Sequence, residues 1–120
     1  MNLIPFINRG MTPPWMIFGD QCDSLSQRDT GWMQFYCASN QEVVDTVIQS
    51  YKIAEALSIP SMVVLDAFFL SHTYEPVDVP EQAEADRFLP PYEARFQLDP
   101  AAPCSFGPLV PPAVYMEMRH

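Results

Sequence analysis

The sequence predicts an open α/β fold built around parallel strands, and three observations carry that prediction. An amphipathic helix spans Asn40 to Leu57, a continuous apolar run from Ser61 to Asp66 follows it after a short turn, and another apolar run, Leu3 to Asn8, opens the chain. A helix feeding through a short turn into a β-branched run is half of a strand-helix-strand unit, whose strands are covered on both faces.

Taken in order, Leu3 to Asn8 is short, apolar and interrupted by Pro5, which suits a buried strand ending in a loop at Arg9-Gly10. Thr12-Pro13-Pro14 cannot lie inside a helix, because two prolines remove two backbone donors. Trp15 to Phe18 is expected as a second brief strand closed by Gly19-Asp20, and the polar stretch Gln21 to Gly31 as a functional loop with a helical turn. In the long helix Ser39 and Glu42 have capping-box spacing. Val43, Val47, Tyr51 and Ala54 form one stripe beside Val44, Ile48 and Leu57. Ser58-Ile59-Pro60 ends it. Beyond Asp66 the texture turns aromatic and irregular, and most of the thirteen prolines fall from Pro76 onward. Proline is confined to sheet edges and turns, so this third is expected to be an irregular proline-rich tail with one helical turn near Glu81 to Phe88. Two regions result: residues 1–77, the α/β part, and residues 78–120, an extended segment leading to a further domain or subunit interface.

With 48% apolar residues the chain is not disordered, and no run approaches the roughly 18 apolar residues of a membrane span. No basic stretch followed by a long apolar run opens it, so a cytoplasmic setting is expected. Fifteen acids against six bases give a net charge of -9, and no basic patch suited to nucleic acid is visible. An anionic small substrate would be met by individual arginines against a repelling field. Cys22, Cys37 and Cys104 are unpaired in spacing, which fits reduced thiols. No nearby base or helix N-terminus marks any of them as a nucleophile.

Several stretches recur together in one family. They are Ile7-Asn8-Arg9-Gly10; Phe18-Gly19-Asp20-Gln21-Cys22-Asp23-Ser24 with Arg28-Asp29-Thr30-Gly31-Trp32; Asn40-Gln41-Glu42; Leu65-Asp66-Ala67-Phe68; Ser71-His72-Thr73-Tyr74-Glu75; Asp86-Arg87-Phe88-Leu89-Pro90-Pro91-Tyr92; and Tyr115-Met116-Glu117-Met118-Arg119. In that order they resemble the alpha subunits of 2-oxoacid:ferredoxin oxidoreductases, such as pyruvate:ferredoxin oxidoreductase, over nearly the whole chain. The resemblance implies part of a pyrimidine-side thiamine-diphosphate-binding domain over residues 1–77. It also implies an enzyme that oxidatively decarboxylates a 2-oxoacid, pyruvate first among them, to an acyl-coenzyme A with electron transfer to ferredoxin. Thiamine diphosphate and magnesium would be bound mainly by residues outside this chain, and iron-sulfur clusters would sit in other subunits or domains. A beta subunit and an iron-sulfur subunit are the implied partners.

The family's activating glutamate and its threonine loop lie upstream of these motifs, so the 120 residues are expected to be an incomplete piece, inactive alone. The family's Gly-Asp loop carries Gln21-Cys22 here, and Ala67 replaces a usual glycine. The alternatives are a free-standing, non-catalytic interaction module and an inactive relic of the family.

Arg9 is the candidate for substrate binding: the resemblance aligns it with an arginine associated with the substrate carboxylate. A guanidinium offers two parallel donors to two carboxylate oxygens; the competing reading is a structural arginine paired with an acid. Asp20, Asp23, Arg28 and Asp29 are weighed toward a loop held by its own Arg-carboxylate pairs, since loop aspartates bond nearby amides, over a contact to a subunit or cofactor. Spacing does not support a metal site from Asp20, Asp23 and His72, and His72 is weighed toward a structural role over acid-base work.

Overall fold

The computed structural model describes residues 3–11, 13–105, 107 and 109–119, the last without its side chain. Thr12, on which part of the expected Thr12-Pro13-Pro14 break falls, lies outside the described residues.

Three strands form one parallel sheet: β1 (Leu3–Asn8), β2 (Met33–Tyr36) and β3 (Ser61–Asp66), in the order β1-β3-β2. The apolar run expected to be covered on both faces is the central strand, and Val63 and Val64 within it are essentially inaccessible. Both outer strands run in register with it, Asn8 opposite Asp66 and Tyr36 opposite Val64. Side chains alternate across a strand, so Ile4, Phe6, Asn8, Met62, Val64, Asp66, Gln34 and Tyr36 share one face. Pro5, Ile7, Val63, Leu65 and Phe35 share the other.

The chain covers the two faces differently. The connection from β1 to β2, with a single-turn helix α1 (Cys22–Leu25) and a 3-10 turn (Arg28–Thr30), lies over the Asn8 face, where Gln27, Thr30 and Trp32 border Ile4, Phe6 and Met62. Helix α2 (Asn40–Leu57) lies over the other, with Val43 and Val44 facing Pro5, Ile7 and Leu65 across an open apolar groove. Its N-cap is Ser39, whose Oγ accepts from the Glu42 amide at 3.1 Å. The Glu42 carboxylate reaches one residue further back than a capping box prescribes and accepts from the Ala38 N–H at 2.6 Å. At the far end Ser58 adopts a left-handed conformation (φ 58°), and the Ile59 N–H returns to the Ala54 carbonyl.

After β3 the chain folds back along α2. Glu75 accepts from the Asn40 amide at 2.7 Å, placing a carboxylate on a helix N-terminus, and the Gln41 amide bonds both main-chain groups of Asp78. Helix α3 (Gln82–Phe88) forms where the helical turn was expected, and its Phe88 ring receives the Lys52 ammonium at 4.0 Å.

Four features differ from the expectations. β1, expected as a buried strand, lies at the edge of the sheet, where no strand covers its outer side and Ile4 and Ile7 stay exposed among the described residues. Trp15 to Phe18 is not a strand: the Gly10 N–H bonds the Met16 carbonyl at 3.0 Å and closes a loop, and among the described residues no strand pairs with it. The second strand is instead Met33–Tyr36, tied to β3 from the Met33 N–H to the Pro60 carbonyl and from the Cys37 N–H to the Val64 carbonyl. A fourth helix, α4 (Pro112–Arg119), closes the tail where none was expected.

Candidate functional site

In a parallel sheet every strand ends at the same edge, and open α/β folds take ligands in the loops beyond it. Here that edge carries Asn8-Arg9-Gly10 after β1, Cys37-Ala38-Ser39 after β2 and Ala67-Phe68-Phe69 after β3, joined by the Phe18 to Ser24 loop.

The loop is held by its own polar groups. Ser24 is fully buried; its hydroxyl meets the Tyr36 hydroxyl at 2.9 Å, and its carbonyl accepts from the Gln34 amide at 2.9 Å. Next to it, Asp23 accepts from the Ser24 N–H through Oδ1 and from the Arg9 N–H through Oδ2, both at 2.8 Å. Asp20 accepts from the Cys22 amide at 2.7 Å, and the Gln21 side chain donates to Asp66 Oδ1 at 3.0 Å. Gly19 suits this approach: a Cβ there would lie 3.1 Å from Asp66 Cβ and Cγ and from the Phe69 ring, so those groups would have to give way by a few tenths of an ångström.

Arg9 follows β1 directly, is exposed, and its guanidinium makes no ion pair with any of the described residues. The loop acids bond amides instead. Arg28 pairs with its neighbour Asp29 at 3.4 Å, but both side chains are more than 70% exposed, 75% and 83%, so the pair contributes little.

Beside the loop stands an aromatic stack. Phe68 has φ 63°, costly for a bulky residue, and its ring lies 4.7 Å from that of Phe18 and parallel to that of His72 at 4.1 Å. Ser71 Oγ accepts from the Phe68 N–H at 3.0 Å and contacts His72 Nδ1 at 3.0 Å, so the histidine is tied into the turn. His72 does not join Asp20 and Asp23: among the described residues no three His, Cys, Asp or Glu converge on a common point. Among the described residues, therefore, these carboxylates do not gather around a common cation position.

Neither Cys22, which opens α1 contrary to the expectation that no helix N-terminus lies near it, nor Cys37 offers an activated thiolate at the site. The Asp20 hydrogen bond, together with that carboxylate's charge, pushes the Cys22 thiol up, and the same contact holds Asp20 below the usual carboxylate range. Burial raises Cys37, partly offset by a hydrogen bond with Thr46.

One feature escaped the sequence reading. Asn8 is fully buried, and neither its Nδ2 nor its Oδ1 finds a partner among the described residues. A polar residue closing an otherwise apolar strand beside Arg9 was the available signal.

The chain matches, over residues 2–120, the family described as pyruvate flavodoxin/ferredoxin oxidoreductase, thiamine diphosphate-binding. The chain belongs to that family. Among curated relatives of this oxidoreductase family, ketoisovalerate oxidoreductase subunit VorA of Pyrococcus horikoshii is 52% identical over 115 residues, covering 95% of this chain and 29% of the relative. Pyruvate synthase subunit PorA of Methanothermobacter thermautotrophicus is 47% identical over 115 residues, 94% of this chain and 30% of the relative. PorA of Pyrococcus furiosus is 48% identical over 116 residues, with 94% and 29% covered. The chain therefore spans under a third of the length of these relatives.

Proposed function

We propose that this chain is part of the alpha subunit of a 2-oxoacid:ferredoxin oxidoreductase and that Arg9 binds the carboxylate of the 2-oxoacid. The carrying observation is the state of Arg9: it stands at the ligand edge of the sheet with its backbone held and its guanidinium unpaired among the described residues. A planar fork so placed can meet both oxygens of a carboxylate. The structural alternative, an arginine consumed by a nearby acid, has no such contact in its favour among the described residues.

In the whole enzyme the oxoacid loses its carboxyl group as carbon dioxide, two electrons pass to ferredoxin, and the acyl group joins the thiol of coenzyme A. Thiamine diphosphate, held together with magnesium mainly by residues outside this chain, would supply the electron sink for that loss. Iron-sulfur clusters belong to other subunits or domains. A beta subunit and an iron-sulfur subunit are the partners, residues 78–120 lead toward such an interface, and the setting is cytoplasmic. No helix among the described residues is long and apolar enough to cross a membrane.

Pyruvate is the first substrate reading. A branched-chain 2-oxoacid is the second, favoured by 52% identity to a ketoisovalerate subunit against 47% and 48% to two pyruvate subunits.

The test is Arg9→Ala in the complex co-purified with its partner subunits, assayed by oxoacid-dependent viologen reduction with pyruvate and with ketoisovalerate. KM for the preferred oxoacid is expected to rise about 30- to 100-fold, as for loss of a charge-assisted bidentate contact, with thiamine diphosphate affinity unchanged by calorimetry. Arg9→Lys should recover only part, since the fork is lost. An unchanged KM removes the assignment.

A further inference from the structure

We propose that Asp23 is a positioning residue for Arg9: its carboxylate fixes the Arg9 backbone so that the guanidinium is presented outward to the oxoacid. The inference rests on the Arg9 reading above and deepens it by naming what holds that arginine in place.

An arginine at the end of an edge strand would ordinarily sample many backbone and side-chain states, and ordering it on binding would cost affinity. Asp23 removes the backbone part of that freedom in advance. Its Oδ2 accepts from the Arg9 N–H at 2.8 Å, across a sequence separation of 14, and its Oδ1 accepts from the Ser24 N–H at 2.8 Å. Both are charge-assisted bonds, short and strong for their type.

Each end of this bridge is anchored. Ser24 is fully buried and tied to β2 through the Tyr36 hydroxyl and the Gln34 amide. Arg9 follows Asn8, whose carbonyl accepts from the Ala67 N–H at the end of β3, and the next residue, Gly10, is bonded to the Met16 carbonyl. The carboxylate therefore joins the loop after β1 to a segment fastened to β2, at opposite edges of the sheet.

The choice of donor matters. An acid that gripped the Arg9 guanidinium would neutralise the charge a substrate carboxylate needs. An acid that grips the Arg9 amide fixes the residue and leaves the charge available.

The test uses the co-purified complex with Asp23→Asn, close in size, which puts an NH2 group where one amide acceptor stood. KM for the oxoacid is expected to rise roughly tenfold, with kcat within about twofold and thiamine diphosphate affinity unchanged. Amide exchange at Arg9, followed by mass spectrometry, should accelerate. In an Arg9→Ala background the same substitution should move KM by less than about twofold, because nothing remains to position. A wild-type KM, unaltered exchange at Arg9, or an equal effect in both backgrounds overturns the proposal. If Arg9→Ala raises KM and Asp23→Asn does not, positioning alone falls; if Arg9→Ala leaves KM unchanged, both readings fall. Should Asp23→Asn fail to assemble, Asp23→Ser is measured in the same way, and a wild-type KM there counts equally against it.

Discussion

Asn8 and Cys22 make opposite points about polar groups near the ligand edge. Asn8 is buried with neither amide atom partnered among the described residues, and an unpaired buried polar group costs about 1–3 kcal/mol. Leucine has the same branching but is bulkier, so the overpacking it brings, about 1–3 kcal/mol, offsets the penalty it removes. Asn8→Leu is therefore expected to leave stability nearly unchanged, measured as the urea midpoint of the purified subunit. A fall well beyond about 3 kcal/mol would mean that Asn8 is satisfied by polypeptide beyond the described residues. Cys22 is partnered, and the partner suppresses its reactivity. Asp20 raises the thiol's pKa, so at a pH near 8 less thiolate is present than in an ordinary cysteine; removing the carboxylate lowers that pKa and increases the thiolate. Asp20 is itself held low and stays ionised at neutral pH, so the suppression persists there. In a background with Cys37→Ser and Cys104→Ser, Asp20→Asn should speed iodoacetamide labelling of Cys22 several-fold. An equal or slower rate would sink this account.

At the scale of elements, what could be read depended on whether local chemistry alone fixed the conformation. α2 was legible because its apolar spacing and its cap agree, and the Ser39 hydroxyl bonds the Glu42 amide as that spacing implies. Ser39→Ala should cost about 1 kcal/mol, seen as a lower urea midpoint together with faster amide exchange in the first turn. No change in either would show the cap to be idle. β3 was legible from its unbroken apolar run. β2 was not, because four residues that include Gln34 become a strand only when β3 presents the other half of the ladder. Trp15 to Phe18 erred the other way: its apolar residues suit a strand, but the Gly10 to Met16 bond turns the chain instead. α4 did carry a signal, since its first residue is Pro112 and proline is favoured at the first helical position. Pro5 in β1 is tolerated for a reason visible only in the sheet. The Ala67 N–H bonds the Asn8 carbonyl, so alternate residues Ile4, Phe6 and Asn8 face β3, and the proline nitrogen faces the open edge.

Across the whole molecule, the chain is too open to be satisfied by itself. Its radius of gyration is 18.0 Å, against about 13.6 Å for a compact domain of this length. Its accessible surface of 9242 Å2 is roughly 40% above that of a compact monomer of its mass. Part of the excess is apolar: Ile4 and Ile7 on β1 are each 42% exposed, on opposite faces of the sheet. Surplus surface of this kind is what subunit and domain interfaces bury. Residues 1–120 purified alone should bind an apolar dye and self-associate in sedimentation, and co-expression with the remainder of the complex should abolish both. A monodisperse monomer without dye binding would argue that this surface needs no cover.

From the residues alone came β1, α2 and β3 and the parallel α/β class, because short-range spacing or residue type carried the information; the family, and Arg9 as the residue to test, came from the resemblance of an ordered set of motifs. Tertiary structure alone decided that β3 lies between β1 and β2, that Met33 to Tyr36 is a strand, and that Asp23 bonds the Arg9 amide and not its guanidinium. Those facts depend on pairing residues far apart in the chain, and a hydrogen bond between such residues leaves no periodic trace in the sequence.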